Sequence, residues 1–192
     1  MLRDCPNVYF CKLPNWRSWT FTRVVQKLSR VIGLEIIGLG SYGENFFPKG
    51  IRFDHNFYQQ ANIDFSCRWD SFSIPRNEQI ENELFEKLEC SDQPYIFLHE
   101  DVYRNYTIDR RHLPSNLRVI QPFSVSSGYS LFDYRKVMER ATELHLIESS
   151  FAAFAESIDI SVPKYAHRYA RGHALHDFRH EFTYRSNWTV LR

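Results

Sequence analysis

Two serines stand where an apolar strand gives way to a helix, in Ile147-Glu148-Ser149-Ser150-Phe151. In open parallel sheets, ligands collect beyond the carboxyl ends of the strands, where helix N-termini point free N–H groups at anions. A diphosphate at this turn would receive backbone N–H groups, two hydroxyls and the positive end of the helix dipole. Serine is also a preferred helix cap in any protein, so the pair can equally serve the helix alone. A second group follows the apolar stretch Tyr95-Ile96-Phe97-Leu98, which ends at His99. The loop beyond it carries Glu100, Asp101, Tyr103, Arg104 and Asn105. Arg104 can fork onto phosphate oxygens, while the carboxylates of Glu100 and Asp101 can accept from sugar or ribose hydroxyls. The alternative is a solvated polar loop.

Such groups act together only if a sheet sets them side by side, and the pattern along the chain predicts one. Pro75 pushes Ile74 towards extended geometry in Phe72-Ser73-Ile74-Pro75. Arg76 to Leu88 then reads as a charged helix with Ile80, Leu84, Phe85 and Leu88 on one face. After the strand ending at His99 come a short strand at Leu117-Arg118-Val119-Ile120 and a capping box at Ser130-Leu131-Phe132-Asp133, opening a helix to about Ala141. Glu143-Leu144-His145-Leu146-Ile147 is strand-like, Ser149 to Ile158 helix-like, and Lys164-Tyr165-Ala166-His167 a last strand. Strand and helix alternate from residue 76 to residue 169, which argues an α/β fold with a parallel sheet covered on both faces.

The first part of the chain reads as a partial version of the same architecture. It has a short strand at Val8 to Cys11 and a helix built on Phe21, Val24, Val25, Leu28 and Val31, closed by Gly33. A buried strand, Leu34 to Leu39, and a helix from Asp54 to Asn62 follow. The boundary between the halves falls near residues 70 to 75, giving residues 1–72 and 73–192.

Gly38-Leu39-Gly40-Ser41-Tyr42-Gly43 matches a dinucleotide fingerprint in letters, but Pro48 would interrupt the helix that must follow it. A loop facing an interdomain cleft is the better reading. His173, His176 and His180, with Asp177 and Glu181, have partial metal-ligand spacing, yet no glutamate follows His176 in the hydrolytic pattern, and they read as surface histidines. Arg168, Arg171 and Arg179 with Tyr165, Tyr169 and Tyr184 read as an interdomain surface instead of a nucleic-acid groove.

Composition agrees with these exclusions. The 192 residues are 43% hydrophobic and 16% aromatic, enough for a real core. Lysine and arginine number 24 against 23 acidic residues, so no net field steers the chain to nucleic acid or an anionic membrane. Cys5, Cys11, Cys67 and Cys90 form no Cys-x-x-Cys pair and read as reduced thiols, which favours the cytoplasm. No run approaches the roughly 18 apolar residues of a membrane span.

Several of these segments together resemble phage and bacterial glycosyltransferases of the GT-B type and, more distantly, fucosyltransferases. They are Phe57-Tyr58, Arg68-Trp69, Phe72 to Arg76 with its acidic helix, Tyr95 to Asp101 with Arg104, and, most specific, Ala141 to Phe151. The resemblance implies two Rossmann-like domains, the first acceptor-side and here partial, with a nucleotide-sugar donor held in the C-terminal one. It implies no obligatory metal, and no cofactor is expected. Carried onto this chain, the donor phosphates fall to Arg104, Ser149 and Ser150, while His99 and Glu148 wall the cleft beside Glu100 and Asp101. The partner would be an oligosaccharide or another hydroxyl acceptor. Such proteins begin with a strand and a glycine-rich turn that this sequence lacks, so the chain reads as starting downstream of them, with no residue assignable as the catalytic base.

Overall fold

The computed structural model describes residues 51–122, 128–158, 160–175 and 182–192, together with Lys27 and Val31. The expected strands at Val8 to Cys11 and Leu34 to Leu39 and the glycine-rich loop at Gly38 to Gly43 lie outside the described residues; of the helix expected over Phe21 to Val31 only Lys27 and Val31 are described, and both are helical.

Among the described residues five strands form one parallel sheet: β1 Tyr95–His99, β2 Arg118–Ile120, β3 Glu143–Leu146, β4 Lys164–His167 and β5 Thr189–Leu191, in the order β2-β1-β3-β4-β5. Tyr95 to Leu98 are buried on both faces of the sheet, which explains why this strand reads as a continuous apolar run. The register sets Leu98 against His145 and His99 against Leu146, and the Ile147 N–H extends the ladder to the His99 carbonyl at 3.1 Å.

The helices with full spans among the described residues are α1 Phe53–Gln60, α2 Cys67–Asp70, α3 Glu78–Lys87, α4 Arg135–Glu139 and α5 Ser150–Ser157, of which α3, α4 and α5 cover one face of the sheet. Leu84 of α3, Val137 and Met138 of α4, and Phe151, Phe154 and Ala155 of α5 close over Tyr95, Phe97, Leu144 and Leu146. Three of the sequence features set these helices. Asn77 caps α3 by accepting the Ile80 N–H at 3.2 Å. Asp133 reaches back to the Ser130 N–H, opening a 3-10 turn at Leu131–Tyr134 that leads into α4. Phe151 packs against Phe97 and Tyr134 at centroid distances of 5.5 and 5.6 Å, pinning the first turn of α5 to the sheet. Burying a ring of that size contributes roughly 2–3 kcal/mol.

The other face is covered differently. The connection from β1 to β2 runs opposite to those from β2 to β3 and from β3 to β4, and right-handed crossovers put it on the opposite face. Among the described residues it holds only 3-10 turns, at Val102–Arg104 and Arg110–His112, and it buries Ile108 with Tyr106 and Leu113 against Leu98 and Ile147. The sheet is covered on both faces, as expected, but among the described residues helices cover only one. Loop residues replace them on the other, because residues 100–117 carry polar groups and no helical stripe.

Residues 51–72 are helical and dock on the C-terminal segment. Arg68 and Asp54 form a 2.6 Å ion pair, with side chains 10% and 11% exposed, and the same Asp54 carboxylate accepts the Thr183 N–H. Arg52 and His55 both reach the Thr183 hydroxyl, at 2.9 and 3.1 Å. Phe72 meets Phe154 of α5. Glu156 of α5 gathers the Arg185 and Ser186 N–H groups, the Ser186 hydroxyl and the Trp188 indole N–H, tying the approach to β5 onto the helix. Cys67 and Cys90 are free thiols. No helix among the described residues is long and apolar enough to cross a membrane.

Candidate functional site

The chain leaves β1 towards one side of the sheet, while β3 lies on its other side, so the sheet order reverses between their carboxyl ends. Parallel sheets bind ligands at such a point, because the two connections diverge and leave a crevice. His99 ends β1 here, and Glu148, Ser149 and Ser150 follow β3.

Ser149 is the N-cap of α5, with extended backbone at φ −151° and ψ −179°, but its side chain makes no cap bond to the helix. Its hydroxyl lies 3.0 Å from Nδ1 of His99 instead. The leading N–H groups of α5 therefore keep their partial positive charge without a side-chain cap, and Ser150 beside them is exposed. Burial pulls the His99 imidazole down to a pKa of about 4, against the opposing pull of Asp101 and Glu100, so the ring is neutral at pH 7. A neutral ring tilted against Phe151, at 4.5 Å between centroids, can accept the Ser149 proton but is a weak general base.

Glu148 is buried and turned inward, its carboxylate accepting the Phe182 N–H at 3.3 Å. Its backbone carbonyl accepts from the Arg171 guanidinium at 2.6 Å. Arg171 follows β4, lies over the Tyr106 ring at 5.3 Å, and has no carboxylate partner among the described residues. This cation belongs to the basic group read from sequence as an interdomain surface. Its position becomes apparent only once β4 is placed beside β3.

The loop after β1 is a compact hairpin. Asp101 and Tyr106 exchange two backbone hydrogen bonds, at 3.0 and 2.9 Å, with Asn105 in the left-handed region at φ 58°. Asp101 caps the 3-10 turn by accepting the Arg104 N–H at 3.1 Å and pairs with its guanidinium at 3.4 Å. Arg104 is 73% exposed and makes no contact with Ser149 or Ser150 in this arrangement. Glu100 accepts from the Ile108 N–H, the Arg110 guanidinium and the Gln121 amide, which binds the far end of the loop to β2. Burial raises its carboxyl pKa, but those donors outweigh it and the net shift is downward. A cleft of about 350 Å³ opens between the ends of β1 and β2, bordered by His99, Glu100, Asp101, Tyr103, Gln121 and Pro122.

On the loop-covered face, a buried chain of polar groups runs along β3 and β4. The Glu143 carboxylate only accepts, so Nε2 of His145 donates to it at 2.9 Å. Nδ1 of the neutral His145 then accepts from Nε2 of His167 at 2.9 Å, and Nδ1 of His167 from the Tyr169 hydroxyl at 3.1 Å. Tyr169 in turn accepts the Asp109 N–H at 2.8 Å. Every member is satisfied in one direction of donation, and the chain clips the turn after β4 to the loop after β1. Among the described residues no group of histidines, cysteines and acids is arranged to hold a metal ion. His176 and His180 lie outside the described residues, as does the side chain of His173.

No family model matches the chain, and no curated protein or solved structure matches it.

Proposed function

We propose that this chain binds a nucleoside diphosphate sugar across the carboxyl ends of β1 and β3, as the donor-binding part of a GT-B-type glycosyltransferase. The sugar passes to a hydroxyl acceptor such as an oligosaccharide. One observation carries the reading: the N-terminus of α5 lies uncapped at the reversal of strand order, with its serine hydroxyl tied to His99 and Arg171 anchored on the adjoining carbonyl. The family resemblance of Ala141 to Phe151 adds sugar transfer to what is otherwise a phosphate site. Ser149, Ser150 and the helix N–H groups receive the diphosphate, and Arg171 and Arg104 meet the charge that grows on it as the glycosidic bond breaks. The second Rossmann-like domain belongs to the same proposal, as the acceptor side.

The test is donor hydrolysis or transfer by Arg104→Ala and Ser150→Ala. Loss of one contact of this kind lowers the rate by roughly 10²–10³-fold. Near wild-type rates in both variants dismiss the assignment. A second reading, a binding module without turnover, is favoured by the engaged state of the cleft acids and by the weak basicity of His99. Calorimetry with uridine and guanosine diphosphates beside a transfer assay separates the two, since binding without turnover supports the module.

A further inference from the structure

The hairpin after β1 holds its most apolar residues out to solvent. Tyr103 is 104% exposed and Val102 66%, yet the turn that carries them is closed by two backbone bonds between Asp101 and Tyr106 and by the Asp101 cap. A rigid turn presenting an unburied aromatic ring gains nothing for the fold. It suits a binding anchor, since the backbone beneath the ring is held before the ligand arrives.

What the ring faces is set by charge. Tyr103 borders the cleft between β1 and β2, whose polar walls are the acids Glu100 and Asp101, the neutral His99 and the Gln121 side chain. Carboxylates repel a phosphate and accept from hydroxyls. Glu100 is already engaged by three donors, whereas the Asp101 side chain is 27% exposed and can accept more. A hexose offers hydroxyl donors at its rim and a face of C–H bonds, which matches a carboxylate beside an exposed aromatic ring. We infer that the β1–β2 cleft is a neutral-sugar subsite, in which Tyr103 stacks on the pyranose face and Asp101 accepts from its hydroxyls. His99 borders this cleft and bonds Ser149, so the subsite adjoins the phosphate turn. The assignment rests on the proposed donor site for its place in a reaction, and the cleft itself is testable without it.

Saturation-transfer NMR on the full chain with methyl hexosides and 6-deoxyhexosides at millimolar concentration tests the cleft directly. Ring C–H resonances of at least one sugar are saturated by the wild type and by Tyr103→Phe, and lose at least three-quarters of that signal with Tyr103→Ala. The exposed position keeps the substitution from disturbing the fold. No saturation with any sugar, or equal saturation by Tyr103→Ala, overturns the subsite. Calorimetry with nucleoside diphosphates and their hexose conjugates separates the two claims. Tyr103→Ala weakens the conjugate about tenfold and leaves the bare diphosphate unchanged. Equal weakening of both assigns the ring to the base and overturns the sugar assignment. If no nucleotide binds while the free sugar does, the donor reading fails and the subsite stands.

Discussion

Ser149, the residue just before helix α5, shares a hydrogen bond between its hydroxyl and Nδ1 of His99 at 3.0 Å and so ties β3's exit to the last residue of β1. The bond crosses the reversal of strand order. It fixes both walls of the crevice and leaves the helix end to be satisfied from outside.

Replacing Ser149 with Ala removes this crossing bond, at a cost of about 1 kcal/mol in urea unfolding. Ser150→Ala, at an exposed position, changes stability by less than about 0.5 kcal/mol. Both weaken nucleoside diphosphate binding by calorimetry. If Ser149→Ala proves as stable as the wild type, the hydroxyl is not engaged as described.

Arg171→Ala is expected to reduce nucleoside diphosphate affinity about tenfold or more, and Arg171→Lys to restore part of it, because a lysine keeps the charge without the fork. The alanine variant also gives up the guanidinium's bond to the Glu148 carbonyl and its contact with the Tyr106 ring, so melting temperature falls as well. Unchanged affinity in the alanine variant removes Arg171 from the site.

Acid is expected to unfold the domain through its histidines. An unfolded imidazole takes its proton near 6.5, whereas burial holds folded His99 at about 4 and His167, also facing His145 and His112, at about 3; His145 is lowered as well. Their contribution is complete above 6.5 and is lost as pH falls from there towards those folded values, because the unfolded chain binds more protons. For His99 and His167 a difference of this size contributes on the order of 3–5 kcal/mol each. Urea midpoints between pH 8 and pH 4 should fall steeply, and His167→Gln should flatten the slope whatever its absolute stability. An unaltered slope would put the acid sensitivity elsewhere, in carboxylates such as Glu156, where the donors outweigh burial and leave the pKa lowered.

Glu156→Ala strands the Trp188 indole and the Ser186 groups, and is expected to cost roughly 2–3 kcal/mol with a red shift of tryptophan emission. Glu156→Gln retains one acceptor oxygen and should fall between. An unshifted spectrum would mean that Trp188 does not depend on this carboxylate.

Elements with strong periodicity were legible in the letters. The strands at Tyr95, Arg118, Glu143 and Lys164 and the helices at Glu78 and Ser150 lie within one or two residues of where hydrophobic pattern and caps place them. The helix opened by Ser130 begins as a 3-10 turn and stops at Glu139, short of Ala141. β5 passed unseen, because Thr189-Val190-Leu191 is three residues long and gains its strand character only by pairing with β4. The same holds for the site. Ser149 and His99 could be proposed from their strand ends, whereas Arg171 becomes visible only through the sideways order of β3 and β4, which no local pattern encodes.

The clip between Asp101 and Tyr106 lies entirely in the backbone. Positions 102 and 103 are therefore insulated from the sheet, and selection can exchange their side chains at little thermodynamic penalty. Ligand preference in this architecture is separable from foldedness, so a change of taste needs two codons and no repacking of the interior.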